Sequence, residues 1–203
     1  MDYFELEYDV RDVEVRQKTT IDMREVKMKS NEVLKTIKER RSIFKYKEEE
    51  ISDEDIETIL EAGRWAPSFA NLQPWNFIVV KDKETKKELY KIARRITLFR
   101  EGIEEAPVVI AVAVDQEADP NHFVEAGAVA SQNMALAAHS LGLSSYWVGT
   151  FDIDSEKNSA EKDVKEVLNI GDDARVISLL PVGKPDQTRT SERKDLDEIV
   201  IRE

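Results

Sequence analysis

Apolar residues along this chain recur in two rhythms, and the switches between them predict its elements. Val33, Leu34 and Ile37 return at the three-and-four spacing of a helix that Ser30 or Asn31 can cap and that ends near Arg40 and Arg41. Ser52-Asp53-Glu54-Asp55 resembles a capping box, with three acids where a helix N-terminus favours negative charge. Ile56, Ile59, Leu60 and Gly63 continue that helix until Pro67 stops it. The short apolar run 77–80 predicts a buried strand. A helix from about Lys83 would turn Leu89, Ile92, Ala93 and Ile96 inward. Residues 108–114, entered through Pro107, are apolar throughout, as a central strand buried on both faces would be.

From His122 to Leu141 the pattern changes character, with Ala126, Gly127, Ala128, Ala130, Ala135, Ala137 and Ala138 on several faces and few charges. Such a helix admits close neighbours all round and predicts burial on all sides. Residues 145–148 read as a short strand after a turn at Gly142. Val164, Val167 and Leu168 mark a helix that Gly171 would end, and residues 175–182 form a last buried strand. The polar tail closes on Ile199, Val200 and Ile201, which suggests docking on another surface. At the other end, Phe4, Leu6, Tyr8 and Val10, then Val13 and Val15, alternate as in one or two half-buried strands, or belong to a loosely held arm.

Strands interleaved with helices give an α/β or α+β sheet sandwich, with residues 1–30 as an extension and 31–203 as one domain. The buried helix needs a cover within only 203 residues, and a second subunit is the economical one. The balance of 42 acidic and 30 basic residues, a net charge of -12, repels nucleic acid and anionic lipid, so a bound anion needs a local basic cluster. The chain has no cysteine and two histidines, which excludes thiolate chemistry and disulfides and argues against a metal site or a histidine-based triad. No window approaches the roughly 20 apolar residues of a membrane span. A cytoplasmic protein is expected.

Four short motifs carry candidate chemistry. Arg40-Arg41-Ser42 offers two guanidinium forks and a hydroxyl that match phosphate oxygens, although basic residues at a helix end also simply complement its dipole. The loop 66–75 holds Pro67, Ser68, Asn71, Gln73 and Pro74 before Trp75. Its amides pair donor with acceptor as the pyrimidine edge of a flavin requires, or they cap a stiff turn. Gly149, after Trp147 and Val148, permits backbone to approach a planar ligand or ends a strand. Arg193 and Lys194 are further cations, or solvated surface.

Taken in order, Arg-Arg-Ser-Ile (40–43), Ala-Pro-Ser with Asn-x-Gln-Pro-Trp-x-Phe (66–77), Leu-Gly-Leu-Ser-Ser-x-Trp-x-Gly (141–149) and Pro-Val-Gly-x-Pro (181–185) resemble the nitroreductase family over roughly residues 31–200. The resemblance implies an α+β fold with a mixed sheet flanked by helices, an intertwined homodimer and two FMN sites, each built from both subunits. It also implies NAD(P)H as electron donor and nitroaromatic, quinone or similar small acceptors, with a specialised reductive dehalogenase, a flavin-consuming synthase or a non-catalytic flavin carrier as alternatives.

By that resemblance Arg40, Ser42 and Arg193 would hold the FMN phosphate and ribityl chain, with Arg41 alongside. Pro67, Ser68 and Asn71 would come from the other subunit, and Gln73 would support their loop. The backbone of Trp147, Val148 and Gly149 would face the flavin ring near N5. No catalytic side chain or metal is implied, because the flavin carries the chemistry. No Gly-x-Gly-x-x-Gly follows a strand, so donor and acceptor would alternate over one flavin face. One position departs from the pattern: many members carry Arg or Lys where this chain has Phe44, and Lys45 or Arg100 are the candidates to replace that charge beside flavin N1.

Overall fold

The computed structural model describes residues 29–96, 101–150 and 159–201, so the expectations for the first 28 residues and for Arg100 lie outside the described residues. The chain divides into two compact units, Asn31–Thr190 and a second comprising Met1–Ser30 with Ser191–Glu203.

In the larger unit the helices begin where side chains cap them. Asn31 accepts the Leu34 N–H at the start of α1 (Glu32–Glu39), and Ser52 accepts the Asp55 N–H at the start of α2 (Asp53–Arg64). A 3-10 turn at Phe69–Asn71 leads to β1 (Trp75–Val80). Asp82 caps α3 (Lys83–Ala93), which ends before Ile96 and leaves that side chain exposed instead of inward. After α4 (Glu101–Glu105) come β2 (Val108–Asp115) and the long α5 (Phe123–Ser140). The short β3 (Ser144–Ser145) and β4 (Val148–Gly149) precede α6 (Ala160–Leu168) and β5 (Ala174–Gly183). Asn169, in the left-handed conformation at φ 53°, ends α6 two residues before the expected Gly171.

The sheet runs β1-β2-β5-β3, and β4 also pairs with β5. Every ladder is antiparallel, so its mixed character among the described residues rests on one isolated parallel bridge, Ser42 to Ser145. Alternation along β2 divides the core in two. Val109 and Ala111 face α3, α4 and α6 through Leu89, Ile92, Ile103 and Val164. Val108, Ile110 and Val112 face α2 and α5 through Ile56, Ile59, Met134 and Ala138. Gly127 lets α5 lie on the sheet, since a Cβ there would stand 2.4 Å from Ile177 Cγ1. Lys86, on a helix that reads as polar-faced, is buried and donates to the carbonyls of Ala106 (2.6 Å) and Pro107 (3.4 Å).

β3 and β4 are two parts of one edge strand. Ser145 faces Val182 and Val148 faces Leu179, three residues apart on each side, so the register survives the gap at Tyr146 and Trp147. Carried across it, that register sets Tyr146 opposite Pro181. In an antiparallel strand a residue's N–H and C=O point the same way, and the Pro181 carbonyl takes the Tyr46 hydroxyl on the edge side. The N–H that Pro181 lacks is therefore missing on that side only. The ladder to β2 runs on past Pro181, from Val108 against Val182 to Val112 against Ser178, and the edge strand opens at Tyr146–Trp147.

Two apolar faces stay uncovered among the described residues. α1 buries no residue, and Val33 is 66% and Ile37 48% exposed. α5 buries Ala126, Gly127, Ala130, Met134, Ala135 and Ala138, while Val129 and Leu136 are only half-buried, so its expected burial on all sides is not reached among the described residues. In the second unit α7 (Leu196–Ile199) starts with the Asp195 N–H on the Glu198 carboxylate, and Ile199, Val200 and Ile201 are exposed. No described helix is long and apolar enough to cross a membrane.

Candidate functional site

The residues after α1 meet the sheet edge where β3 and β4 run. Arg40 caps α1 through its N–H on Thr36 O. The Arg41 guanidinium turns back to the carbonyls of Lys38 (2.5 Å) and Arg40 (2.8 Å). His139, in the last turn of α5, has its pKa lowered mainly by burial, with Arg40 and Arg41 reinforcing and Glu39 opposing. The imidazole is thus neutral near pH 7, which leaves the positive charge here to the two arginines. Ser42 then bridges Ser145, and the Ile43 N–H donates to Ser145 O at 3.3 Å.

Tyr46 locks this segment down. Its buried hydroxyl is shared between the carbonyls of Ile43 (2.8 Å) and Pro181 (3.1 Å), and burial first, then Tyr146 and Glu105, pushes its pKa well up. The Lys47 N–H donates to Lys184 O and the Asp186 N–H to Lys45 O, both at 3.0 Å, so the Pro-Val-Gly-x-Pro segment is zipped alongside. Phe44 sets its ring edge-on to Tyr146 at 4.7 Å, and the Arg189 guanidinium lies 4.6 Å from the Phe44 ring centre. The first, third and fourth motifs therefore share one corner. On its exposed side lie Trp147 and Gly149, while Val148 points into the core. A Cβ on Gly149 would meet nothing nearer than Trp147 Nε1 at 3.4 Å, so packing within the chain does not require glycine there.

The second motif lies elsewhere. Its loop leads into β1, at the opposite edge of the sheet, with β2 and β5 between it and the corner. Ala70, Asn71 and Gln73 take φ of 47°, 57° and 52°, a conformation that asparagine tolerates and alanine resists. Ser68 Oγ holds the loop by accepting the Gln73 N–H at 2.9 Å, and the Gln73 amide reaches Asn71 O at 3.3 Å. Phe69 stacks on His122 at 4.3 Å, and His122 is fixed by the buried Asp119 through its N–H (3.0 Å) and Nδ1 (3.2 Å). Pro67, Asn71 and Gln73 are exposed and Ser68 is half-buried, so the loop offers its polar groups outward. Arg193, in the second unit, donates to Ser191 Oγ (2.9 Å) and Glu192 O (2.7 Å).

Residues 37–184 match the sequence model of the Nitroreductase family, a span that includes the loop and the corner as far as Lys184. The chain belongs to the nitroreductase family. It is 33% identical over 161 residues, 78% of the chain and 80% of the relative, to a Methanothermobacter thermautotrophicus protein assigned as an NADH dehydrogenase/NAD(P)H nitroreductase. An FMN-dependent nitroreductase from Clostridium difficile superposes with a TM-score of 0.74 at 30% identity, covering 81% of this chain and 95% of that one. The iodotyrosine deiodinase of Nematostella vectensis is 27% identical over 209 residues, 87% of the chain and 77% of its own.

The residues present suit the family's cofactor. Buried polar atoms without a partner call for an explanation, and among the described residues Arg41 Nε, Ser145 Oγ and Gln187 Nε2 are such atoms on the corner's own segments. Two donors and a hydroxyl, in a chain of net charge -12, match an anionic ligand rich in acceptors. Ser145 stood in a motif that singled out Trp147 to Gly149 instead. Gln187 and Arg189 lie in a polar stretch that reads as solvated surface, with no sequence signal to lift them out.

Proposed function

We propose that this nitroreductase-family chain is an FMN-dependent NAD(P)H oxidoreductase of small electron-poor acceptors, nitroaromatics or quinones, working as a homodimer. FMN, when bound, supplies a two-electron carrier, so that with a quinone one NAD(P)H and one proton give NAD(P)+ and a hydroquinone. Arg40 and Ser42 bind the phosphate and ribityl chain, Arg41 lies alongside, and the backbone of Trp147, Val148 and Gly149 orients the ring. Pro67, Ser68 and Asn71 of a second copy close the site from the other side, and Gln73 holds their loop in shape. The carrying observation is the separation of loop and corner at opposite sheet edges, since one chain brings only half of the polar groups to either place. The uncovered faces of α1 and α5 support a second copy as the cover.

Gel filtration is expected to give twice 23.3 kDa with about one FMN per chain, bleached anaerobically by NADH or NADPH. Initial rates against both substrates should give the parallel lines of alternating half-reactions. Arg40→Ala is expected to weaken FMN by about 1.5–3 kcal/mol, the scale of a charge-assisted bond to phosphate. Mixing inactive Arg40→Ala and Asn71→Ala dimers should restore activity, because one site of each mixed dimer is intact. A colourless monomer, or mixed dimers without activity, refutes the reading. Reductive dehalogenation is the second reading, favoured by the likeness to iodotyrosine deiodinase, and turnover of a halotyrosine in preference to nitroaromatics would select it.

A further inference from the structure

A cation sits on the Phe44 ring. The Arg189 guanidinium lies 4.6 Å from the Phe44 ring centre, and the ring is itself braced edge-on by the buried Tyr146. Only two residues separate Arg189 from Asp186, whose N–H is tied to Lys45 O, so the arginine is tethered close to its ring. Guanidinium over an aromatic face keeps its charge and its orientation. The direction of the corner says which end of a bound flavin this charge meets. The Ser42–Ser145 bridge is parallel, so moving from Ser42 to Phe44 runs the same way as moving from Ser145 towards Trp147 and Gly149. With the phosphate at Arg40 and Ser42, Phe44 and Arg189 lie on the ring side of it.

We propose that Arg189, seated on Phe44, supplies positive charge to the pyrimidine end of bound FMN and stabilises the negative charge that reduction places there. The proposal rests on the cofactor reading above. Charge near N1 is one of the few levers a protein has on flavin electronics.

The test uses the full chain reconstituted with FMN, comparing wild type with Arg189→Ala, Arg189→Lys and Phe44→Ala. Oxidised-FMN affinity is read by fluorescence quenching and the two-electron potential by anaerobic dye-equilibrated titration. In Arg189→Ala, reduced FMN should be weakened about tenfold more than oxidised FMN, which lowers the potential by about 30 mV. Arg189→Lys should keep most of the wild-type potential, and Phe44→Ala, which removes the seat, should move towards Arg189→Ala. An unchanged potential in Arg189→Ala overturns the proposal. Equal weakening of both redox forms also overturns it, because it would place Arg189 at the phosphate. Wild type that takes up no FMN fails the cofactor reading itself, and Arg189 with it.

Discussion

The corner at Ser42–Ser145 and the loop at residues 66–75 are both read as parts of one site, yet they are held in opposite ways. The corner is anchored from within: Tyr46 ties two carbonyls together, Gly183 packs under its ring, and the backbone is zipped to residues 184–186. The loop is pinned at its two ends, by buried Ala66 and by the Asp115 N–H on Pro74 O at 2.8 Å, and between them it has the Ser68 and Phe69 contacts, carries three non-glycine residues at positive φ, and turns its amides outward. A preformed cradle and a presented clamp are what the proposed two-subunit site requires. Backbone strain of this kind persists where surroundings impose it.

The comparison breaks most visibly at Gly183. A Cβ there would stand 2.6 Å from Tyr46 Cδ1 and 2.9 Å from Pro107 Cδ, so Gly183→Ala is expected to cost about 3 kcal/mol, the upper end of overpacking. Urea denaturation of the FMN-free protein measures it, and a loss below about 0.5 kcal/mol would mean the corner is not tightly built.

Tyr46→Phe comes next, at about 1.5 kcal/mol near neutral pH, because it strips the hydroxyl from two buried carbonyls. Its folded pKa is raised, so the neutral phenol's contribution is complete below the unfolded value of about 10 and fades as pH climbs above it. The gap between wild type and Tyr46→Phe should therefore narrow above pH ~10 in parallel urea series. A gap that widens there would reverse the sign of the argument.

The loop should respond more weakly. Ser68→Ala removes one bond to the Gln73 N–H and is expected to cost about 1 kcal/mol or less in stability. A larger loss would show that the loop is as deeply anchored as the corner. Smallest in stability and sharpest in contrast is Gly149→Ala, expected within about 0.5 kcal/mol of wild type by urea because its Cβ would make only ordinary van der Waals contact, 3.4 Å from Trp147 Nε1. FMN affinity in that variant should nevertheless fall by about tenfold, or 1.4 kcal/mol, if backbone there faces the ring. Affinity equal to wild type would remove Gly149 from the site.

Much of the fold is legible because its signals are local. Ser52 and its acids announce α2, and the continuous apolar runs announce β2 and β5 as strands covered on both faces. What escapes the sequence depends on partners far along the chain. The opening at Tyr146–Trp147 follows from Pro181, and the burial of Lys86 follows from carbonyls at Ala106 and Pro107. Gly171 gave way to Asn169 because asparagine also accepts the left-handed conformation. The motifs of the site were legible as motifs, but their division between two sheet edges was not, since motif order along a chain says nothing of strand order in a sheet. Arg189 was invisible for a related reason: its meaning lies in the ring beneath it.

The order of the strands also sets a timetable for synthesis. β2 is apolar on both faces, and the neighbour that completes its ladder, from Val108 against Val182 to Asp115 against Ala174, is made last among the strands. At roughly 5–20 residues per second on a ribosome, several seconds pass after Asp115 before Gly183 is made. During that interval a sticky, half-paired strand is exposed to other nascent chains. Closing so long a loop is slow even in the free protein, because its entropy must be lost before the contacts form. Yield in a cell is therefore expected to respond to chaperone supply and growth temperature more than the stability of the finished protein would suggest.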